Sequence, residues 1–442
     1  MRHPVRAVVW SLVYVLLAIA PLPLSLVNLD PGRGFWVNLS VALGFVGLSL
    51  MGLQFVLAAR FVRATTTFGI DVVLQVHRQM TWIITLCVLA HPIVLFVWDS
   101  RFLSLLDVVH APWRAKFAVL SVVLLLVLIA TSVWRRRIRL SYQAWQVLHA
   151  ALATGIVIAA LVHVLMIGYY VDQPWERGLW IAYSAAFVGI GAWVRVIKPV
   201  LRWRRRWEVV SVREQPGPGH TIRMRPLHSN GKHNKGFRFE PGQFAWINVG
   251  RSPFSIEYHP FSISSSAEQH EYLEFTIKTE ANFTQRVHWF TPGETVYLDG
   301  PWGHFTMQRH EGPGFVFIGG GVGITPLLSM LSTLADRGDR RPCWAVVGNR
   351  YEHQMIGRDE LEELAQRMEL TVVQTLSAPD GSWTGRKGRI DATLLDDVLP
   401  ADRHRLQYFL CGSNAMMDGA EAALDQLGVP RSQVHSERFA MA

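Results

Sequence analysis

HRQMTWIITLCVLAH, residues 77–91, places a histidine at each end of a largely apolar run. HAALATGIVIAALVH, residues 149–163, repeats the separation of 14 residues. On an α-helix that separation returns to within about 40° of the starting direction and climbs about 21 Å, most of a bilayer's hydrocarbon thickness. Each stretch therefore predicts a helix that shows two imidazoles on one face, near opposite edges of a membrane.

Working outward, long apolar runs recur at 7–29, 35–59, 72–98, 117–134, 146–169 and 179–200. Each is near the roughly 20 residues that a spanning helix needs, which predicts six spans before residue 206. The first run is not read as a signal peptide, because it is long, contains Pro21 and Pro23, and lacks a small-residue cleavage site. Arginines cluster in alternate loops: Arg2 and Arg6, Arg60 and Arg63, RRRIR (135–139) and RWRRR (202–206). The opposite side carries only Arg33, then Arg101, Arg114 and Lys116, then Arg177. The asymmetry predicts both termini on the cytoplasmic side of a multi-pass inner-membrane protein. The formal net charge of +9 is largely this topology signal and no nucleic-acid footprint. The three cysteines, Cys87, Cys343 and Cys411, have no metal-site spacing.

Odd-numbered spans run the same way, so His77 is expected level with His149 and His91 level with His163. A neutral imidazole is a good iron ligand, and a haem between two helices takes one from each. Two stacked bis-histidine haems would make an electron path across the bilayer. A proton relay, the competing use of membrane histidines, would more often include Asp or Glu; the spans are nearly free of them, with Asp71 at the entrance to the third. Arg78, Arg60 and Arg63 fall near the inner level, as propionate partners or as ordinary interfacial charge, and His110 and Arg114 fall in an outer loop.

After residue 206 the pattern changes to short strand-like segments, WEVVSV, HTIRMRP, FAWINV, YLEFTIK and ETVYLDG, separated by Gly, Pro, Asn and Asp. These predict a small antiparallel barrel. FVFIGGGVGITPLLSML (315–331) then reads as a buried strand, a glycine turn and a helix, with Thr325 as N-cap and Pro326 in the first turn. Gly319, Gly320, Gly321 and Gly323 let backbone amides approach an anionic pyrophosphate at the positive helix end.

HPFSISSS (259–266) resembles the flavin-binding motif of the ferredoxin-reductase-like superfamily, in the form found in NADPH oxidases and ferric reductases. The resemblance extends through PGQF (241–244), IKTEANFTQRV (277–287), GPWG (300–303), the GVGITP turn and FLCGSNAMM (409–417). It implies that Phe261 packs on the isoalloxazine and that Ser262, after His259 and Pro260, bonds near flavin N5, with Ser265 as a nearby hydroxyl. His259 stands where many relatives carry Arg against the pyrophosphate. Thr284 and Gly300 belong to the implied FAD site, and Cys411 and Gly412 to the nicotinamide site. Arg350, in GNR (348–350), would favour the 2′-phosphate of NADPH, with a solvated arginine as the competing reading. Phe439 would cover the flavin until nicotinamide displaces it, or else serve packing.

The expected architecture is a six-helix transmembrane haem bundle (1–206), an antiparallel β-barrel FAD domain (207–310) and an α/β NAD(P)-binding domain (311–442). The expected activity is electron transfer from cytoplasmic NAD(P)H through FAD and two b-type haems, held by His77 with His149 and by His91 with His163, to an acceptor on the outer side. Dioxygen, a ferric chelate and a periplasmic redox protein are the acceptor readings; membrane lipid is the surrounding partner, and a non-redox transporter is disfavoured by the nucleotide-binding half.

Overall fold

The computed structural model describes residues 4–26, 33–59, 70–227, 237–250, 252–255, 258–279 and 290–438. Contacts divide the chain into two compact units, Met1–Pro199 and Val200–Ala442.

Among the described residues the regular elements of the first unit are all helices, since hydrocarbon offers exposed backbone groups no partner. Its helices are α1 (Pro4–Ile19), α2 (Pro21–Leu26), α3 (Phe35–Ala58), α4 (Ile70–Trp98), α5 (Trp113–Val133), α6 (Tyr142–Ile167) and α7 (Pro174–Ala192), the last running on through Trp203. Among the described residues five helices, α3 to α7, are long and apolar enough to cross a membrane. The expected first span is different: its 16-residue α1 stops at Ile19, because Pro21 supplies no amide and its ring blocks a continuing helix.

Local chemistry sets the other starts. Ser141 caps α6, its hydroxyl accepting from the Ala144 amide at 3.2 Å. Pro174 opens α7, and Glu176 three residues past Gln173 accepts the Gln173 amide at 3.2 Å. Close helix approach rests on α3 glycines. A Cβ at Gly52 would fall 1.7 Å from the Phe187 ring of α7, and one at Gly47 would fall 2.9 Å from Val88 of α4.

The second unit begins with an antiparallel sheet of six strands: β1 (Trp207–Glu214), β2 (Gly219–Pro226), β3 (Phe244–Val249), β4 (His259–Ser262), β5 (Leu273–Lys278) and β6 (Thr295–Trp302). Their order is β4-β3-β6-β1-β2-β5. All five expected strand segments are present, and HPFS is itself a strand. The sheet curls on itself: just past β4 the Ser264 amide donates to the Glu274 carbonyl of β5, the far edge, at 2.8 Å. Bulges near Val209 and Phe244 add to the bend. Inside lie Val209, Ile222, Met224, Ile247, Phe275 and Val296.

The last 130 residues or so form a parallel sheet in the order β10-β9-β8-β7-β11-β12. Its strands are β7 (Phe315–Gly319), β8 (Cys343–Asn349), β9 (Leu370–Leu376), β10 (Arg386–Lys387), β11 (Gln407–Gly412) and β12 (Val434–Arg438). Helices α8 (Ile324–Asp336), α9 (Arg358–Arg367), α10 (Ala392–Val398) and α11 (Asn414–Gln426) connect them. The chain leaves β7 for β8 on one side and later returns to pair β11 on the other. The crevice at the carboxyl ends of β7 and β11 is thus the switch point where such sheets bind ligands.

Candidate functional site

Histidines on α4 and α6 face each other at two levels. The ring centres of His77 and His149 lie 6.4 Å apart, and those of His91 and His163 also lie 6.4 Å apart. Two imidazole nitrogens on one metal at about 2 Å each, with ring centres about 1.1 Å further back, require a separation of about 6 Å. Both pairs fit a shared iron. Among the described residues there is no group of three or more His, Cys, Asp or Glu that could encircle a bare ion. Two facing imidazoles suit a haem instead, since the macrocycle brings its own in-plane donors.

The ring nitrogens away from the gap are used differently at the two levels. At the level of His91 and His163, His91 Nδ1 donates to the Ser40 carbonyl of α3 at 2.7 Å and His163 Nδ1 donates to the Arg114 carbonyl at 2.8 Å. Each Nδ1 carries the proton, so both Nε2 atoms are unprotonated and available to a metal. At the other level His149 Nδ1 lies 3.3 Å from the Ser132 hydroxyl, which also accepts from Trp145 Nε1 at 3.2 Å. His77 Nδ1 is buried with no hydrogen-bond partner among the described residues. Ser40, Ser132, Trp145 and the Arg114 carbonyl were not visible as site groups in the sequence. Arg60 and Arg63 lie outside the described residues; Arg78 is exposed. In the loop beyond α4, His110 bonds Asp107 at 2.8 Å, and the Lys116 ammonium lies over Trp113 while donating to the Val109 carbonyl.

In the second unit β4 carries the expected flavin motif. His259 and Phe261 alternate onto one face, ring centres 6.4 Å apart, while Ser262 turns to the other. The Ser262 hydroxyl is buried with no hydrogen-bond partner among the described residues. Leaving such a group unpaired costs about 1–3 kcal/mol, so it fits a site completed by a ligand heteroatom. Ser265 is already engaged: its hydroxyl accepts from the Glu274 amide at 3.1 Å, and its carbonyl takes the Ser329 hydroxyl of α8 at 2.8 Å. Gly300, in β6, faces Ala245 of β3 so closely that a Cβ would lie 3.1 Å from the alanine's own. Arg202, from the basic run read as a topology signal, ion-pairs with Asp299 and lies 5.1 Å from the centre of the Tyr258 ring, beside the motif. Thr284 and Phe439 lie outside the described residues.

At the switch point the structure brings together the glycine turn and the Cys411 strand. Cys411 pairs in register with Gly319. A Cβ at Gly323 would fall 2.3 Å from the Cys411 carbonyl oxygen, and one at Gly320 would fall 2.4 Å from the Gly348 carbonyl oxygen. Gly321, at φ +54°, has open space around it, and its amide donates to Asn349 Oδ1 at 3.0 Å. Asn349, inside the GNR triplet, was missed as a turn-holding residue. Thr325 is not the cap: Gly321–Gly323 form a single 3-10 turn, Gly323 takes the cap position, and the Thr325 hydroxyl donates back to the Val322 carbonyl at 2.9 Å. Pro326 does lie in the first helical turn. Arg350 is exposed, 5.1 Å from the centre of the Tyr351 ring.

Burial pushes the Cys411 thiol well above its ordinary range and that of Cys343 up to about 12. Neither is a thiolate near neutral pH, and the Cys411 side chain, fully buried, packs as a neutral thiol in the core beneath the glycine turn. In the folded protein at pH 7.5, iodoacetamide is expected to leave both unlabelled over an hour, with labelling after denaturation; mass spectrometry of tryptic peptides measures this. Rapid native labelling of Cys411 would contradict a buried neutral thiol.

The chain thus combines a helical unit apolar enough to span a membrane several times with a curled β-sheet and a parallel α/β layer that has a glycine turn at its switch point. Three family models match in order: the ferric reductase like transmembrane component over residues 43–160, the FAD-binding domain over 219–305 and the oxidoreductase NAD-binding domain over 317–422. The chain is thus an NAD(P)H-dependent oxidoreductase that carries a ferric-reductase-like transmembrane domain followed by a ferredoxin-reductase-like FAD/NAD module. It is 32% identical over 225 residues to ferredoxin–NADP reductase B of Sorangium cellulosum, a match covering 49% of this chain and 91% of that one. It is 30% identical over 211 residues to the reductase component of propane 2-monooxygenase from Rhodococcus jostii, covering 46% of this chain and 56% of the relative. Among solved structures, the FAD/NAD-binding domain of nitric oxide dioxygenase from Vibrio cholerae is similar, with a TM-score of 0.46 at 20% identity, over 53% of this chain and 98% of that one.

Proposed function

We propose that this protein carries electrons from cytoplasmic NAD(P)H through FAD and two bis-histidine haems to dioxygen on the outer side of the inner membrane. The observation that carries this reading is the repeated 6.4 Å imidazole gap on two parallel helices. We assign the haem-bearing part to 1–206, the FAD part to 207–310 and the NAD(P) part to 311–442, with both termini cytoplasmic. Bound FAD would supply the conversion of a two-electron hydride into single electrons, and haem held by the two histidine pairs would supply one-electron carriage.

The chain's own residues then have separate tasks. Gly319, Gly320, Gly321 and Gly323 open room for a pyrophosphate at the start of α8, whose dipole favours an anion. Cys411 and Gly412, at the end of β11, are assigned to the nicotinamide site, and Phe439 is assigned the flavin's cover. Phe261 offers a ring to the isoalloxazine, and Ser262 offers its unpaired hydroxyl to the flavin's polar edge. His259, Pro260, Ser265, Thr284 and Gly300 complete that pocket, and Arg350 is the candidate for a 2′-phosphate. His77 and His149 supply ligands at the cytoplasmic level, His91 and His163 at the outer level.

The matched transmembrane model favours a second acceptor, a ferric chelate. Purified protein given NAD(P)H is expected to show a reduced low-spin b-type haem spectrum; absence of a Soret band would end the haem reading. Dye reduction that superoxide dismutase abolishes is expected for dioxygen. Dismutase-insensitive turnover displaced by ferric chelates would assign the chelate instead, and poor turnover rescued by a periplasmic protein fraction would assign a protein acceptor.

A further inference from the structure

We propose that Ser40 is a positioning residue for the outer imidazole pair, fixing the tautomer and ring plane of His91. The proposal rests on the reading that this pair ligates a haem iron. Ser40 is fully buried on α3 and makes two bonds to one residue of α4. Its carbonyl accepts His91 Nδ1–H at 2.7 Å, and its hydroxyl donates to the His91 carbonyl at 2.6 Å. The same hydroxyl oxygen lies 2.9 Å from Nδ1. Two bonds of opposite direction close a ring between the helices: the Nδ1–H bond would have to break for the imidazole to flip or rotate, and the hydroxyl bond to the His91 backbone carbonyl holds the two helices in register for it. One turn on, Gly44 gives α3 its close approach: a Cβ there would sit 3.2 Å from His91 Nδ1.

The brace falls where α4 is weakest. Pro92, next to His91 and inside the helix, removes the amide that would bond the carbonyl four residues earlier. A cross-helix clamp at Ser40 holds position where the helix's own ladder is interrupted. The other level has no equivalent among the described residues: His149 has only a 3.3 Å contact to Ser132, and His77 Nδ1 has no hydrogen-bond partner. An imidazole that donates its distal N–H to a carbonyl is the more basic ligand and favours the oxidised metal. Ser40→Ala keeps that carbonyl and removes only the hydroxyl, so the helices lose the clamp at the His91 carbonyl and the Nδ1–H bond is free to lengthen, which should raise the midpoint potential of one haem and leave the other alone.

The test is an optical and EPR redox titration of the purified, haem-loaded full chain. Ser40→Ala is expected to shift one haem's midpoint upward and alter one low-spin signal, with the other haem unmoved. Ser40→Thr, which keeps the hydroxyl, is expected to restore both. Gly44→Ala, which crowds the ring while leaving Ser40 intact, is expected to perturb the same haem. If Ser40→Ala folds poorly, Gly44→Ala carries the test. Two haems whose potentials and signals are unchanged in Ser40→Ala and Gly44→Ala would overturn the proposal alone, and so would equal shifts of both. Wild-type protein with no low-spin haem would overturn the haem reading and this proposal with it.

Discussion

Replacing His91 with alanine is expected to abolish electron delivery to the outer acceptor while leaving flavin reduction by NAD(P)H at its wild-type rate. The geometry separates the two outcomes. His91 faces His163 across a 6.4 Å gap, and alanine leaves that gap with one ligand. His77 and His149 lie about 21 Å away along the same helices and keep their own gap. About half of the haem absorbance should go, since one of two sites loses an axial ligand. The nucleotide turn and flavin strand belong to the other compact unit, Val200–Ala442, and contain no part of the change. Stopped-flow bleaching of the flavin, haem quantitation and dismutase-sensitive dye reduction read the three quantities in one preparation. Unchanged turnover with an outer acceptor would contradict a two-haem relay. Loss of flavin reduction alongside the haem would indicate a chain that no longer folds, and His163→Ala would then carry the comparison.

The second large effect is expected at Gly323. Its φ of −63° is ordinary for any residue, so a substitution there is decided by space alone. A Cβ would meet the Cys411 carbonyl oxygen at 2.3 Å and Gly412 Cα at 2.6 Å, both backbone atoms that no side-chain rotation relieves. Gly323→Ala should push the turn off the end of β11, at a cost of about 1–3 kcal/mol or more for forced overpacking. NADP⁺ binding should weaken by at least about tenfold, equivalent to 1.4 kcal/mol. Gly321→Ala is the contrast: nothing lies within 4 Å of its Cβ, and only its positive φ is penalised, at about 1–2 kcal/mol. Its nucleotide affinity should fall less. Calorimetric titration with NADP⁺ and thermal unfolding of both variants measure the ranking. Equal losses would mean that the turn's conformation, not its closeness to β11, sets the site.

The membrane ladder was legible because helix period converts spacing into direction, and the repeat on a second parallel helix converts direction into pairing. Strand segments were legible for the same reason at period two. What holds the rings was not. Ser40 acts on His91 from 51 positions away, partly through a carbonyl, a group that every residue possesses and no sequence can single out. The same holds for Arg114 and His163. Asn349 and Arg202 looked like parts of other signals, a ribose-reading triplet and a topology charge. Thr325 was misread as a cap because a Thr-Pro pair is a common helix entry; here the chain arrives through a tight turn and the glycine before Ile324 takes that place. The broken first span was foreshadowed by Pro21 and Pro23, whose apolar surroundings outweighed them in a simple length count.

The bonds around Ser265 bear on how far the coenzyme end of this protein can be re-engineered. Helix α8 begins at the glycine turn, and its Ser329 hydroxyl reaches the Ser265 carbonyl three residues past Ser262. Thr333, one turn further, accepts the Ala267 amide at 2.9 Å and itself donates to the Ser329 carbonyl at 2.6 Å. A graft that imported another protein's nucleotide layer for a new coenzyme preference would sever this stitch unless it kept hydroxyls at both positions of that helix. Exchanging single residues around Arg350 leaves it whole, which makes point changes at the ribose end the less disruptive route.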